Sequence, residues 1–146
     1  MTDRVKEKIA ENFIALLPFY HKKVFRPQQG ITGMQAAQYR TLGILMREGT
    51  ALPMSELGKR QYISRPYMTI LVDQLIRDGY VKRIPDVNDR RVINIAITPS
   101  GSRHLKGAAS AYKDTLIETL SGLDRHDLEE LCRALEKMRD IISRID

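Results

Sequence analysis

This chain of 146 residues is poor in cysteine and histidine, with one Cys132 and three scattered histidines, His21, His104 and His126. A single cysteine forms no internal disulfide, and histidines so far apart have no metal-ligand spacing, so a stapled or metal-centred fold is excluded. No metal and no cofactor is expected. Long apolar runs are missing too: none approaches the roughly 18 residues that a spanning helix requires. The opening MTDRVKEKIAENF is charged where a secretion signal is apolar, so a cytoplasmic protein without membrane association is expected. The chain also lacks a glycine-rich phosphate loop, a nucleophile paired with a base, and two carboxylates in an apolar setting. Catalysis has nothing to rest on, and an enzyme is not expected.

What is present fits one folded domain. The length is near that of a single domain, and 42% hydrophobic with 29% charged residues is too balanced for disorder. The net charge of +6 is unevenly spread. Residues 1–50 hold eight Lys/Arg against four Asp/Glu, residues 51–106 ten against five, and residues 107–146 six against nine. A basic front and an acidic tail point to a polyanion partner for the first part and a different task for the second, although a basic solvated surface would give the same totals.

Apolar periodicity divides the chain. Val5, Ile9, Phe13, Leu16, Tyr20 and Val24 recur at helical steps over residues 4–25, with a kink or break predicted near Leu17 because Pro18 interrupts the run. A polar linker follows over 26–33, and Thr32 with Gln35 has capping-box spacing for the next helix. That helix carries Tyr39, Leu42, Leu45 and Met46 and stops at Gly49. A short helix over about 54–60 and a turn at QYIS lead to a helix over about 65–78, capped by Ser64, with Pro66 in its first turn and Gly79 after its end.

Met68, Leu71, Val72, Leu75 and Ile76 form the inner stripe of that last helix. Its outer side offers Arg65, Tyr67, Thr69, Ile70 and Arg77, with Asp73 the lone acid before the last turn. Two helices, a tight turn and such an outer face make a helix-turn-helix, whose second helix fits a DNA major groove. YVKRI and VINIAIT then read as a hairpin joined by PDVNDRR. Ile93, Ile95 and Ile97 are expected to face inward, with Asn94 and Ala96 outward. The tip places Asp89, Arg90 and Arg91 beside the recognition helix, where an arginine can enter the minor groove and Asp89 can orient it; a solvated turn of mixed charge is the alternative.

With the wing residues Asp89, Arg90, Arg91 and AITPSG, and with AAQYRTLGIL (36–45) and MSELGKRQYISRPYMTILVDQLIRDGYVKR (54–83), the chain resembles the winged-helix multiple-antibiotic-resistance-regulator (MarR) family. Ile97 stands where the family usually has leucine. The resemblance implies a mainly α fold with a small β-hairpin wing: a winged helix-turn-helix at 34–100 between dimerisation helices at 1–33 and 101–146. It also implies a homodimeric regulator, with Ser64, Arg65, Pro66, Tyr67 and Thr69 on double-stranded DNA, a palindromic operator, and Arg91 in the minor groove. A small-molecule effector is a further implication, for which Tyr20, His21, Phe25 and Tyr39 are candidates. Those aromatics also fall on helix stripes, so a place in the core is open to them.

The last forty residues bear on the dimer independently. Leu105, Ala109, Tyr112, Leu116 and Leu120 form one stripe, SGLD breaks it with Asp124 as N-cap, and Leu128, Leu131, Leu135, Met138, Ile142 and Ile145 continue as a heptad-like seam. Ile9, Phe13, Leu116, Leu120, Leu128, Leu131, Leu135, Met138 and Ile142 are the expected dimer contacts, although a monomer can bury the same seam against its N-terminal helix. Cys132, beside Leu131 and Leu135, is expected to be a buried, inert thiol. A winged-helix adaptor that does not bind DNA is the rival to a transcriptional repressor.

Overall fold

The computed structural model describes residues 2–23 and 33–145. Its elements are α1 (Thr2–Lys23), α2 (Gly33–Glu48), β1 (Leu52–Pro53), α3 (Met54–Gln61), α4 (Arg65–Arg77), β2 (Val81–Pro85), β3 (Ile93–Ile97), α5 (Pro99–Leu120) and α6 (Arg125–Ile142). They fall into two units, Met1–Arg26 with Ala111–Asp146 and Pro27–Ser110.

In the second unit, α4 is built from both ends. The Ser64 hydroxyl accepts from the Tyr67 N–H, and Pro66 takes a first-turn position where no backbone donor is needed. At the other end Gly79 adopts φ 78°, and the N–H groups of Tyr80 and Gly79 return to the carbonyls of Leu75 and Ile76. That pair of bonds is a Schellman closure, and it needs a left-handed residue at Gly79. Between the ends Met68, Leu71, Val72 and Leu75 are buried against Leu42 and Leu45 of α2, Leu57 of α3, Val81 and Ile95. Each such side chain contributes about 1.5–3 kcal/mol by leaving water.

The sheet has three strands in the order β1-β3-β2, all antiparallel. The short β1, in which Leu52 pairs with Ile95 and Pro53 with Asn94, was not expected: two residues carry no period. The expectation for the isoleucines needs correction at one end. Ile95 is fully buried and Ile97 half-buried, but Ile93 remains 42% exposed. It shares their face, yet it starts the strand at the tip end of the ribbon, past the core that Ile95 joins.

In the helical unit, α1 continues through Pro18 instead of breaking near Leu17. Proline removes only its own N–H, so the bond to the carbonyl four residues back is lost while the ladder on either side persists. Asp124 caps α6 by accepting from the Asp127 N–H at 2.8 Å. No residue of α6 is buried, and Cys132 is exposed, which corrects the expectation of a buried thiol. Position 132 belongs to the seam flank, and that whole seam faces outward in the single chain. Residues 26–32 of the expected linker, including its capping residue Thr32, lie outside the described residues, and Gly33 already belongs to α2. Among the described residues, no helix is long and apolar enough to cross a membrane, and no His/Cys/Asp/Glu group could hold a metal ion.

Candidate nucleic-acid interface

Three pieces of the second unit line one groove of about 830 Å³: the start of α3, the first turns of α4, and the base of the β2–β3 loop. Arg65, Met68 and Thr69 come from α4, Lys59 and Tyr62 from α3 and its end, and Arg91 from the loop. Ser64, Arg65, Pro66, Tyr67 and Thr69 are all exposed. The Thr69 hydroxyl donates back to the Arg65 carbonyl at 3.1 Å, which leaves its oxygen able to accept from outside. Asp73 of α4 is ion-paired with Arg83 of β2. Arg83, which stands out by neither charge nor spacing in the sequence, neutralises Asp73 and ties β2 to α4.

The loop is organised by two carboxylates. Asp86 accepts from the backbone N–H groups of Asn88 (3.2 Å) and Asp89 (3.0 Å) and from the Asn94 side chain (3.1 Å). Asp89 accepts from the Arg91 N–H at 3.0 Å and from its Nε and Nη2 at 3.2 and 3.3 Å. Asp89 therefore orients Arg91, whose side chain is 92% exposed, while Arg90 is exposed beside it. Asp86 was expected to supply turn chemistry, but an Asp in a turn looks the same in sequence whether it collects three donors or none.

Hydrogen bonds favour the ionised forms, so both carboxyls lie below their ordinary value of 3.8, Asp86 chiefly through Asn94 and Asp89 chiefly through Arg91. A depressed folded pKa means that the stabilisation is complete above 3.8 and is lost as pH falls through the lower folded value. A pH titration of the Asp86 side-chain carboxyl carbon by NMR is accordingly expected to have its midpoint below 3.8. A midpoint at or above that value would mean that Asp86 does not hold the turn.

Helix, turn, helix, three-stranded sheet and a projecting charged loop form a winged helix. A model of the MarR family matches residues 30–92. The chain is 31% identical over 118 residues to the transcriptional activatory protein BadR of Rhodopseudomonas palustris, covering 78% of this chain and 67% of that one. This chain belongs to the MarR family. A second relative, the homoprotocatechuate degradative operon repressor of Escherichia coli, is 26% identical over 113 residues, 77% of this chain and 76% of its own. The crystal structure of YusO from Bacillus subtilis superposes with a TM-score of 0.67 at 22% identity, covering 96% of this chain and 98% of that one, and shows the shared fold. For the first relatives matched, the aligned stretch spans only 64% and 67% of their length. The matched relatives are transcription regulators.

The remaining predicted residues of this MarR-family chain fall in both units or outside the described residues. Tyr39 stacks on His104 with ring centroids 5.4 Å apart, and His104 stacks in turn on Tyr80 at 4.1 Å. Tyr20 lies in the other unit and hydrogen-bonds Tyr112, whose phenol is pushed up to about 12 mainly by burial and then by that bond. The side chain of His21 and all of Phe25 lie outside the described residues. Of the expected dimer contacts, Ile9, Phe13, Leu128, Leu131, Leu135, Met138 and Ile142 are exposed, and Leu116 and Leu120 are half-buried.

Proposed function

We propose that this MarR-family regulator acts in the cytoplasm as a homodimeric repressor of a palindromic operator. The first turn of α4, with Ser64, Arg65, Pro66, Tyr67 and Thr69, enters the major groove, and Arg91 enters the adjacent minor groove, with Arg90 on the backbone. The observation that carries this reading is the groove itself: one surface combines Arg65, Thr69, Lys59 and Arg91, and no acidic side chain is among the described residues that line it. An aspartate-held arginine on a projecting loop suits the narrow, strongly negative minor groove.

Dimerisation is supported by the uncovered apolar seam of α6. A surface stripe of leucine, methionine and isoleucine in heptad-like spacing is the kind that a second copy buries. Two-fold symmetry then sets two recognition helices about one DNA turn apart, roughly 34 Å. Repression follows from occupying promoter DNA, and release by a small-molecule effector completes the reading. The cleft of about 270 Å³ beside Tyr39, which also presents Gln38, Asp78 and His104, is where we place that effector.

Selection of sites from a random duplex library, read beside the mass in solution, tests the proposal. A palindrome with half-sites one turn apart and a mass of two chains are expected. A monomer, or enrichment of nothing, would sink it. The logarithm of affinity should also fall steeply and linearly with the logarithm of salt concentration, with a slope near −0.9 for each phosphate neutralised. A flat dependence would remove the phosphate contacts.

A further inference from the structure

Tyr62 is the one described non-glycine residue with a positive φ, at φ 55° and ψ 40°; the other left-handed positions, Gly49 and Gly79, are glycines. A side chain there crowds the following carbonyl, a cost that glycine does not carry. The turn needs the conformation: the N–H groups of Tyr62 and Ile63 return to the carbonyls of Lys59 and Gly58, closing α3 just before Ser64 starts α4. It does not need the ring. Tyr62 is 98% exposed, so its phenol adds almost nothing to the core.

A side chain that costs the fold free energy and buries nothing has its use outside the fold. Its position says where. Tyr62 lines the same groove as Arg65 and Arg91, at the turn immediately before the helix tip. We infer that Tyr62 is a DNA-backbone contact whose phenolic O–H donates to a phosphate oxygen at the rim of the major groove that α4 enters. This inference rests on the DNA-binding mode proposed above. A phenol is a neutral donor, so the contact adds affinity without reading sequence and without displacing a counterion.

Three properties therefore separate Tyr62 from the charged and base-reading residues. The experiment measures the full-length protein and its Tyr62→Phe and Tyr62→Gly variants by fluorescence anisotropy on two duplexes, the selected site and a scrambled one, across a salt series. Tyr62→Phe should weaken both duplexes by the same factor, roughly tenfold for a hydrogen bond to a charged group, while the salt slope stays that of the wild type. Tyr62→Gly should lose at least as much binding while its thermal midpoint is unchanged or higher, because glycine adopts φ 55° freely. Wild-type affinity in Tyr62→Phe overturns the inference alone, and so does a loss confined to the selected site, which would indicate a base contact. Failure of the wild type to bind either duplex removes the DNA-binding mode and this contact together.

Discussion

Replacing Arg91 by alanine is expected to weaken operator binding at least several-fold, and by up to about a hundredfold, while the dimer and the thermal midpoint stay unchanged. An arginine that reaches into a groove contributes about 1–3 kcal/mol, and each 1.4 kcal/mol is tenfold. The fold should not notice the change. The Arg91 side chain is 92% exposed, and its bonds run only to Asp89 of its own loop. An exposed ion pair of that kind is weak in water, so DNA can draw the guanidinium from Asp89 at small cost. The pair positions the arginine without holding it back. Gel-shift titration of the enriched duplex and sedimentation of the free protein check both halves, and the salt slope should shrink by about one because one phosphate-associated cation is gone. Unchanged binding would take the wing out of recognition; binding lost together with the dimer would make Arg91 structural.

The parts of this molecule that could be read from sequence are those in which local chemistry and long-range packing agree. α4 is the best case: Ser64, Pro66, the stripe from Met68 to Leu75, and Gly79 each argue for the same boundaries, and the helix runs Arg65–Arg77. The hairpin was legible for the same reason, but its third strand was not, since Leu52 and Pro53 pair with β3 only once the fold brings them there. Alternation assigned Ile93 to the inner face and could not tell where the core ends, so a residue on that face is exposed. The site was half visible. Asp89, Arg90 and Arg91 stand out by charge, whereas Asp86 and Arg83 depend on partners eight and ten positions away in sequence. Tyr62 depends on a backbone angle that no composition reveals. Cys132 sits beside apolar residues whose spacing suits burial, but in the single chain that seam and Cys132 are exposed.

The largest loss of stability is expected from the smallest substitution, Gly101→Ala. Gly101 occupies the first turn of α5, where Thr98 draws three bonds together. The Thr98 hydroxyl donates to the Gly79 carbonyl at 2.6 Å and accepts from the Gly101 N–H at 3.0 Å, and the Thr98 N–H donates to the Tyr80 carbonyl at 3.0 Å. Together they pull the helix start onto the chain segment that closes α4. A methyl group on Gly101 would lie 2.0 Å from the Tyr80 carbonyl oxygen, 2.9 Å from its carbon and 3.0 Å from Cγ1 of Ile97. The nearest obstacles are backbone atoms fixed by those hydrogen bonds, so no rotamer change relieves the clash. Either α5 shifts and the Thr98 bonds break, or the end of α4 moves. Overpacking of this kind costs about 3 kcal/mol, the upper end of the usual range. For a unit of this size that lowers Tm by roughly 12–24 °C. Gly107 in the same helix is the control, because nothing lies within 4 Å of its missing methyl. There alanine is expected to raise stability by up to about 1 kcal/mol, the propensity difference between the two residues in a helix. Calorimetry of the two variants should therefore move Tm in opposite directions. A Gly101→Ala midpoint equal to the wild type's would show that the start of α5 is free to move away from Tyr80, and that the Thr98 bonds do not hold it there.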